Sequence, residues 1–296
     1  MSQASCSVAM VGAGNMGGAM VARLCSQGWT VVVCDIDPAR RQQAAAVGAR
    51  LADTPGAAAR ALHEGGVLIV CVVDSVQTRD VLFGPQGAAA DLLPGHAVML
   101  CPTIAPQETE TLAAELAQRD VACIDAPMSG GPVRARDGSM SLMVASPKAV
   151  LARHQRLLAA LSGKVFQIGD RPGDGARTKL VNNLLAGINL VGVAEALALA
   201  ERLGLDLATT LDVIEQSSGQ SWIGSDRMHR ALAGDFAPRA HVTLLEKDTR
   251  LAVEAAAAAG FSGPLGGAAA RVFAQVHAAG KGDLDDAALL PWLQGL

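Results

Sequence analysis

Lys179 and Asn183 are the residues of this 296-residue chain whose types and spacing best suit chemistry. Four residues apart on a helix, they would share one face and reach toward the same point. A lysine that is partly desolvated beside another positive charge has a pKa lowered toward neutrality. It can then take a proton from an alcohol or return one to an alkoxide. The alternative is a lysine near a helix start whose amine extends to solvent.

Two further segments carry polar groups where packing alone would not favour them. One segment, Ser129-Gly130-Gly131, follows an apolar run and would lie at the carboxyl edge of a sheet. Its hydroxyl and its unobstructed backbone N–H groups could hold a carboxylate. The alternative is an ordinary turn. Lys247 and Asp248 could close over a bound cofactor, or form a surface ion pair at a helix start.

A glycine block, Gly12-Ala13-Gly14-Asn15-Met16-Gly17, joins the apolar run Val8–Val11 to a predicted helix. Gly12 would allow a tight turn, Gly14 a close approach of the backbone to a pyrophosphate, and Gly17 close packing of helix and strand. Because strand, helix and a second strand all stand in the expected places, the block predicts a dinucleotide site rather than a flexible loop.

Asp35 ends the second predicted strand, Thr30–Cys34. A carboxylate there accepts hydrogen bonds from ribose hydroxyls and repels a 2′-phosphate, so NAD is favoured over NADP. Arg40 and Arg41 follow closely and could receive a phosphate, although arginines that open a surface helix are commonly solvated.

Composition limits the class of protein. Half of the residues are hydrophobic but only 3% are aromatic, which predicts a core of Ala, Leu and Val. A net charge of −4 without a basic run argues against nucleic acid. Neither a signal segment nor an uninterrupted apolar run of membrane-spanning length is present, so we expect a cytoplasmic protein without a membrane partner.

We expect the six cysteines to be reduced, with no metal site. They are Cys6, Cys25, Cys34, Cys71, Cys101 and Cys123.

The chain alternates short apolar runs and helical stretches up to about residue 165, which predicts a doubly wound parallel sheet of the Rossmann type. The remaining expected strands are Val67–Val73, Ala97–Leu100, Ala122–Asp125, Ser141–Ala145 and Val165–Ile168. A long helix, Ala176 to about Arg202, is apolar on nearly every face and is therefore expected to be buried on most sides. We assign residues 1–166 to a dinucleotide-binding domain and 167–296 to an all-helical substrate and oligomerisation domain, and expect a homodimer or homotetramer.

In order and spacing, four motifs resemble the β-hydroxyacid dehydrogenase family of the 3-hydroxyisobutyrate dehydrogenase type. They are the glycine block with Met16, the segment Asp125–Gly131, the helix from Lys179 to Asn183, and the pair Lys247-Asp248. Three segments resemble the branch that acts on four-carbon sugar acids such as L-threonate. They are Leu184–Ile188, Gly219–Trp222 and Pro238–Ala240.

The resemblance implies that Lys179 is the acid/base and that Asn183 orients the substrate. It also implies that Ser129, Gly130 and Gly131 hold the substrate carboxylate, with Lys247 lining the site. Thr103 is implied to approach the nicotinamide. The chain departs from the family pattern in Leu100-Cys101-Pro102, where a serine hydroxyl before Thr103 is lost, and in Arg239-Ala240, where an aromatic is common.

The sequence thus predicts an enzyme that passes a hydride between a small hydroxy acid and NAD, with a site between the two domains. A reductase of tartronate semialdehyde or another short semialdehyde is one alternative. Imine reduction is disfavoured because relatives that reduce C=N bonds lack the lysine. The alternative of another class is a non-catalytic NAD-binding sensor.

Overall fold

The structure is a computed structural model that describes residues 7–296. The described chain forms two compact units that divide between Lys179 and Leu180. The domain boundary expected from the sequence, between residues 166 and 167, lies a few residues before the long helix begins at Asp174.

One sheet organises the first unit. Within the described residues its nine strands are β1 (Ser7–Val11), β2 (Thr30–Cys34), β3 (Arg50–Leu51), β4 (Val67–Val70), β5 (Ala97–Leu100), β6 (Ala122–Asp125), β7 (Met128–Ser129), β8 (Ser141–Ala145) and β9 (Lys164–Gly169). The order is β3-β2-β1-β4-β5-β6-β8-β7, and β9 pairs with β8. The first six strands of this order are parallel, so their carboxyl ends meet at one edge.

The connections of the sheet are helical. They are α1 (Asn15–Ser26), α2 (Pro38–Ala46), α3 (Pro55–Arg60), α4 (Ser75–Phe83), α5 (Pro106–Ala117), α6 (Gly131–Asp137) and α7 (Lys148–Leu161). In β1, Val8 and Met10 join a core on one face, while Ala9 and Val11 join a core on the other. Because successive strand residues point to opposite faces, both faces of the sheet are covered. The predicted doubly wound fold is confirmed.

Three details of the predicted sheet are wrong. The fourth strand ends at Val70, not Val73, because the chain leaves the sheet to enter α4, where the side chain of Asp74 accepts the Gln77 N–H as an N-cap. The sheet is not wholly parallel, because the segment after β6 folds back through β7 and makes β8 antiparallel to β6. The sequence did not predict β3 and β7, because strands of two residues are too short to give an apolar pattern.

The second unit is helical, as predicted. The helices are α8 (Asp174–Arg202), which begins in the first unit, α9 (Leu207–Glu215), α10 (Trp222–Leu232), α11 (Val242–Ala258), α12 (Pro264–Val276) and α13 (Leu289–Gln294). The core of this unit surrounds the fully buried Phe273 and otherwise consists mainly of Leu, Val and Ala. Both units therefore have the aliphatic core that the composition predicts.

Helix α8 is exposed along one face, whereas the sequence predicts burial on most sides. Val181, Leu185 and Leu199 are 72%, 58% and 58% exposed. By length and composition alone α8 could cross a membrane, a property that it shares with core helices of soluble proteins. It is the one such helix in the part of the chain that the structure describes.

The cysteines that the structure describes are free. Cys34, Cys101 and Cys123 are buried and Cys25 and Cys71 are partly buried, whereas Cys6 lies outside the described residues. Burial raises the pKa of the Cys71 thiol to about 12, which keeps it protonated at neutral pH. The described cysteines are therefore small apolar residues, as expected.

Candidate active site

The glycine turn between β1 and α1 is built by close contacts within the protein. Gly12 has φ +92°, and a Cβ there would lie 2.5 Å from the carbonyl oxygen of Cys71. A Cβ at Gly17 would overlap the carbonyl oxygen of Gly12. Gly14, the N-cap of α1, has no atom within 4 Å of the place where a Cβ would stand. Packing thus requires glycine at positions 12 and 17, whereas Gly14 leaves room for a phosphate at a helix N-terminus.

Asn15 and Met16 begin α1 and have different surroundings. The side-chain oxygen of Asn15 accepts a hydrogen bond from Nη2 of Arg40 at 3.2 Å. Met16 packs against the core on one face of the sheet. Asn15 therefore presents a polar side chain at the turn, whereas the side chain of Met16 belongs to the core.

Asp35 joins the end of β2 to the glycine turn. Its Oδ2 accepts the Ala13 N–H at 2.5 Å, and its Oδ1 accepts the Asp37 N–H at 2.8 Å. A carboxylate offers about four lone-pair sites, so capacity remains for ribose hydroxyls. Arg41 is held by Asp53 at 2.6 Å, whereas Arg40 is directed toward Asn15. Arg40 is thus hydrogen-bonded to the glycine turn, whereas Arg41 is paired with Asp53.

The predicted substrate segment lies at the same edge of the sheet. Thr103 follows β5 and Ser129 ends β7, just beyond β6, and β5 and β6 are neighbouring parallel strands. Gly130 and Gly131 have φ of +131° and +74°, backbone conformations that side chains rarely adopt. The structure therefore places the carboxyl end of β1, with its glycine turn, and these residues at one sheet edge.

Helix α8 carries the predicted proton-transfer pair. Lys179 and Asn183 are only 7% and 8% exposed, although both are polar. Their spacing of four residues places them on one face of a continuous helix. The expectation of a lysine that simply extends to solvent does not describe this side chain.

In the second unit, Asn183 is joined to the other predicted polar pair. Its Nδ2 donates to Oδ2 of Asp248 at 2.5 Å, and Nζ of Lys247 lies 2.9 Å from Oδ1 of the same carboxylate. Asp248 is 6% exposed. Since α11 begins at Val242, the pair lies in the second turn of the helix and not at its start. The ion pair considered from the sequence thus joins the buried Asp248 to the partly buried Lys247.

Sequence reasoning assigned no role to two buried acidic sites. Asp125 ends the otherwise apolar β6, and its carboxylate accepts backbone N–H groups at the start of α8. Asp285 receives Arg230 at 2.6 Å and also accepts the N–H groups of Arg239 and Ala240. An acidic residue that closes an apolar strand is a signal that could have identified Asp125. Asp285 caps the short helical turn Asp286–Ala288 through the Ala287 N–H, but its contacts with Arg230, Arg239 and Ala240 join residues 45 or more positions apart and have no local signal.

Dinucleotide-dependent oxidoreductases combine a glycine turn at a strand end with an acidic residue at the end of the next strand, and the first unit has the architecture of that class. Comparison with known families agrees. Residues 7–169 match the NAD-binding domain of 6-phosphogluconate dehydrogenase. Residues 173–293 match the NAD-binding domain of NADP-dependent 3-hydroxyisobutyrate dehydrogenase.

Relatives match over nearly the whole chain. L-threonate dehydrogenase of Cupriavidus necator is 35% identical, covering 98% of this chain and 96% of its own. 3-Hydroxyisobutyrate dehydrogenase of Pseudomonas aeruginosa is also 35% identical, covering 92% of each chain. The crystal structure of 3-hydroxyisobutyrate dehydrogenase from Salmonella typhimurium superposes with a TM-score of 0.89 at 35% identity, over 97% of this chain and 99% of that one.

The chain belongs to the β-hydroxyacid dehydrogenase family. It is therefore an enzyme, a dehydrogenase that acts on the CH–OH group of a small hydroxy acid with NAD or NADP.

Proposed function

We propose that this enzyme oxidises a four-carbon sugar acid of the L-threonate type to its oxo acid and prefers NAD. The observation that carries the proposal is the buried pair Lys179 and Asn183 on one face of α8. Relatives named L-threonate dehydrogenase, 33–38% identical, support the substrate class. The 3-hydroxyisobutyrate type of substrate is the nearest alternative within the family.

The chain's own residues would bind, orient and move a proton. When bound, the nicotinamide cofactor supplies the redox chemistry by accepting a hydride from the carbinol carbon. As that C–H bond breaks, Nζ of Lys179 takes the hydroxyl proton, and the hydroxy acid becomes an oxo acid. In the reverse direction the same ammonium returns the proton to the developing alkoxide. Asn183, held by Asp248, orients the substrate hydroxyl.

The residues present fit a dinucleotide. The N-terminus of α1 and the open space beside Gly14 suit the pyrophosphate, and the proposed ribose ligand is Asp35. A 2′-phosphate would meet the negative charge of Asp35, which supports NAD. Arg40, directed toward Asn15, is the one feature of this turn that favours NADP.

We assign the substrate carboxylate to Ser129, Gly130 and Gly131, with Lys247 as a further cation of the site. Neither glycine has a Cβ of its own to shield its N–H group, and at Gly131 no atom lies within 4 Å of the place where a Cβ would stand. Thr103, at the end of the adjacent strand, is proposed to contact the nicotinamide. The loss of the preceding serine hydroxyl leaves Thr103 as the hydroxyl of that loop.

We further propose a homodimer or homotetramer in which apolar side chains of the second unit are covered by another copy. Large exposed side chains of this unit are Val181, Leu185, Leu199, Leu203, Leu205, Phe261 and Leu265. We propose that these side chains form the apolar surface that another copy covers. Light scattering tests this assignment, and a monomer at micromolar concentration would contradict it. The free cysteines support a reducing, cytosolic location.

A substrate panel tests the proposed function. Threonate, erythronate, 3-hydroxyisobutyrate, glycerate and 3-hydroxypropionate are each assayed with NAD and with NADP, and reduced cofactor is followed by absorbance. We expect the highest kcat/KM with L-threonate and NAD. A preference for 3-hydroxyisobutyrate would contradict the substrate class. Cofactor binding without turnover of any hydroxy acid, or of tartronate semialdehyde in the reverse direction, would favour the sensor.

A further inference from the structure

Asp125 lies between two parts of the proposed site. It is the last residue of β6, is 2% exposed, and precedes Ser129 by four residues. Backbone pairing fixes it from both sides, because Leu100 of β5 and Ala145 of β8 are its neighbours in the sheet. Its backbone is therefore held by pairing with strands on both sides.

The carboxylate of Asp125 caps the helix that carries Lys179. Its Oδ2 accepts the Gly173 N–H at 2.7 Å and the Ala176 N–H at 3.0 Å. Gly173 directly precedes α8 and Ala176 lies in its first turn, where N–H groups lack partners within the helix. A negative charge is also favoured there by the helix dipole. The cap thus comes from a residue 48 or more positions earlier in the chain.

The start of α8 also packs tightly at this point. A Cβ at Gly175 would lie 2.6 Å from the carbonyl oxygen of Met143 and 2.9 Å from Oδ2 of Asp125. The first turn is therefore pressed against β8 as well as bonded to the carboxylate. Lys179 follows Ala176 by three residues, less than one turn of helix.

We propose that Asp125 is a positioning residue that fixes the proton-transfer amine of Lys179 relative to the carboxylate-binding segment Ser129–Gly131. One side of Asp125 leads to that segment through four residues of chain. The other side holds the start of α8 through hydrogen bonds. The inference rests on the proposed function, because it concerns the geometry between the proposed base and the proposed carboxylate site.

The charges around Asp125 are consistent with this role. Burial raises the pKa of its carboxyl to about 6, although the N–H groups of Ala176, Gly173 and Gly175 lower it and the charge of Asp174 raises it. The thiols of Cys101 and Cys123 interact electrostatically with this carboxylate, and burial raises the pKa of both well above the ordinary value, so neither carries a charge at neutral pH. At pH 7 and above, Asp125 is therefore mostly ionised and accepts the N–H groups of α8.

The test compares Asp125→Ala, Asp125→Asn and the matched control Asp174→Asn in L-threonate oxidation with NAD. Asp174 is in the first turn of α8 but pairs with the exposed Arg171 and the partly exposed Arg177. Because a displacement of about 1 Å can lower rates about 100-fold, we expect Asp125→Ala to lower kcat by about 30-fold or more with the KM for NAD within about twofold. Asp125→Asn should keep more of the kcat, since its side-chain oxygen still accepts N–H groups. The control should stay within about threefold of the parent, because surface ion pairs contribute little.

Hydrogen exchange provides a readout that needs no turnover. Amides in residues 173–176 should exchange faster in Asp125→Ala and unchanged in the control, because only the first variant loses the cap. An unchanged kcat in Asp125→Ala, equal losses in both Asp125 variants, or an equal loss in Asp174→Asn would overturn the inference. The inference would also be overturned if the loss of kcat in Asp125→Ala disappeared once rates were divided by the concentration of NAD-binding sites, because the variant would then contain less folded enzyme rather than a slower one. If the parent enzyme turns over no hydroxy acid of the panel, the proposed function fails instead. Hydrogen exchange then still tests the cap on its own, because amides of residues 173–176 that exchange as slowly in Asp125→Ala as in the parent would show that Asp125 does not cap α8.

Discussion

Asn183 of α8 and Asp248 of α11 share a hydrogen bond of 2.5 Å between two side chains that are almost completely buried. The amide oxygen of Asn183 accepts Nδ2 of Asn182 at 3.0 Å, so both ends of the amide are held. Lys247 lies on the other oxygen of Asp248. A polar network with these partners fixes the rotamer of the residue proposed to orient the substrate.

A double-mutant cycle tests this network. Asn183→Ala and Asp248→Ala should each lower kcat/KM, and the double variant should lose less than the sum because the two residues act as a unit. We expect a coupling of about 1–2 kcal/mol, within the range for residues in direct contact. Glu254→Ala, an exposed change on the same helix, is the control. Additive losses would show that Asp248 does not act through Asn183.

Lys179→Ala tests the proposed base. General acid/base groups contribute about 100-fold or more, so kcat should fall by at least that factor while NAD affinity stays nearly unchanged. The control is Lys148→Ala, an exposed lysine at the start of α7. Steady-state rates and NAD titration give the two quantities. Equal turnover in variant and parent would remove the assigned role.

Asp35→Ala tests cofactor choice. Loss of the carboxylate removes both the ribose acceptor and the repulsion of a 2′-phosphate, so the ratio of kcat/KM for NAD over NADP should fall. Because Oδ2 of Asp35 also accepts the Ala13 N–H, Asp35→Asn is the matched variant, which keeps an acceptor but not the charge. A ratio unchanged in both would refute the assignment. Arg40→Ala should move the ratio in the opposite direction.

Gly17→Ala and Gly14→Ala should have different effects. A Cβ at position 17 would overlap the carbonyl oxygen of Gly12, so this variant should unfold at lower urea concentration. A Cβ at position 14 enters open space, so Gly14→Ala should keep its stability and lose cofactor affinity. Urea unfolding and NAD titration of both variants check this. A stable Gly17→Ala, or a Gly14→Ala with parental affinity, contradicts the respective prediction.

Arg230→Ala should strongly destabilise the second unit. It leaves the fully buried Asp285 without its guanidinium, and removal of one partner of a buried ion pair costs about 3–5 kcal/mol. Arg250→Ala, from an exposed pair, should change the free energy of unfolding by about 0.5 kcal/mol or less. Urea unfolding followed by tryptophan fluorescence measures both. Equal effects would contradict the prediction.

The same pair predicts a pH dependence. Burial alone would raise the pKa of Asp285, but hydrogen bonds from Arg230 and from the Arg239, Ala287 and Ala240 N–H groups lower it from 3.8 to about 2. Because the folded pKa is depressed, the stabilisation is complete above about pH 4 and is lost as the pH falls toward 2. The difference in stability between parent and Arg230→Ala should shrink over that interval. A constant difference would contradict the assigned cause.

Several elements follow from local pattern alone. The turn at Gly12, the helix that follows it and the strand Thr30–Cys34 occur where the sequence predicts them, because turn chemistry and apolar runs act over a few residues. The reversal of β8 was not predictable, since antiparallel pairing through β7 depends on which strands meet after the chain has turned. The exposure of Leu185 was not predictable for a related reason. A helix that is apolar on nearly every face has no pattern of polar residues to indicate which face packs against the rest of the protein.

The order of residues by itself determined a dinucleotide-binding fold and the types of side chain available for hydride-coupled proton transfer. Tertiary structure decided which of them meet: Asp248 with Asn183, and Asp125 with the first turn of α8. Both contacts join residues 48 or more positions apart. Local periodicity places a residue on a face of its own element, but only packing of whole elements determines which distant carboxylate receives its hydrogen bond.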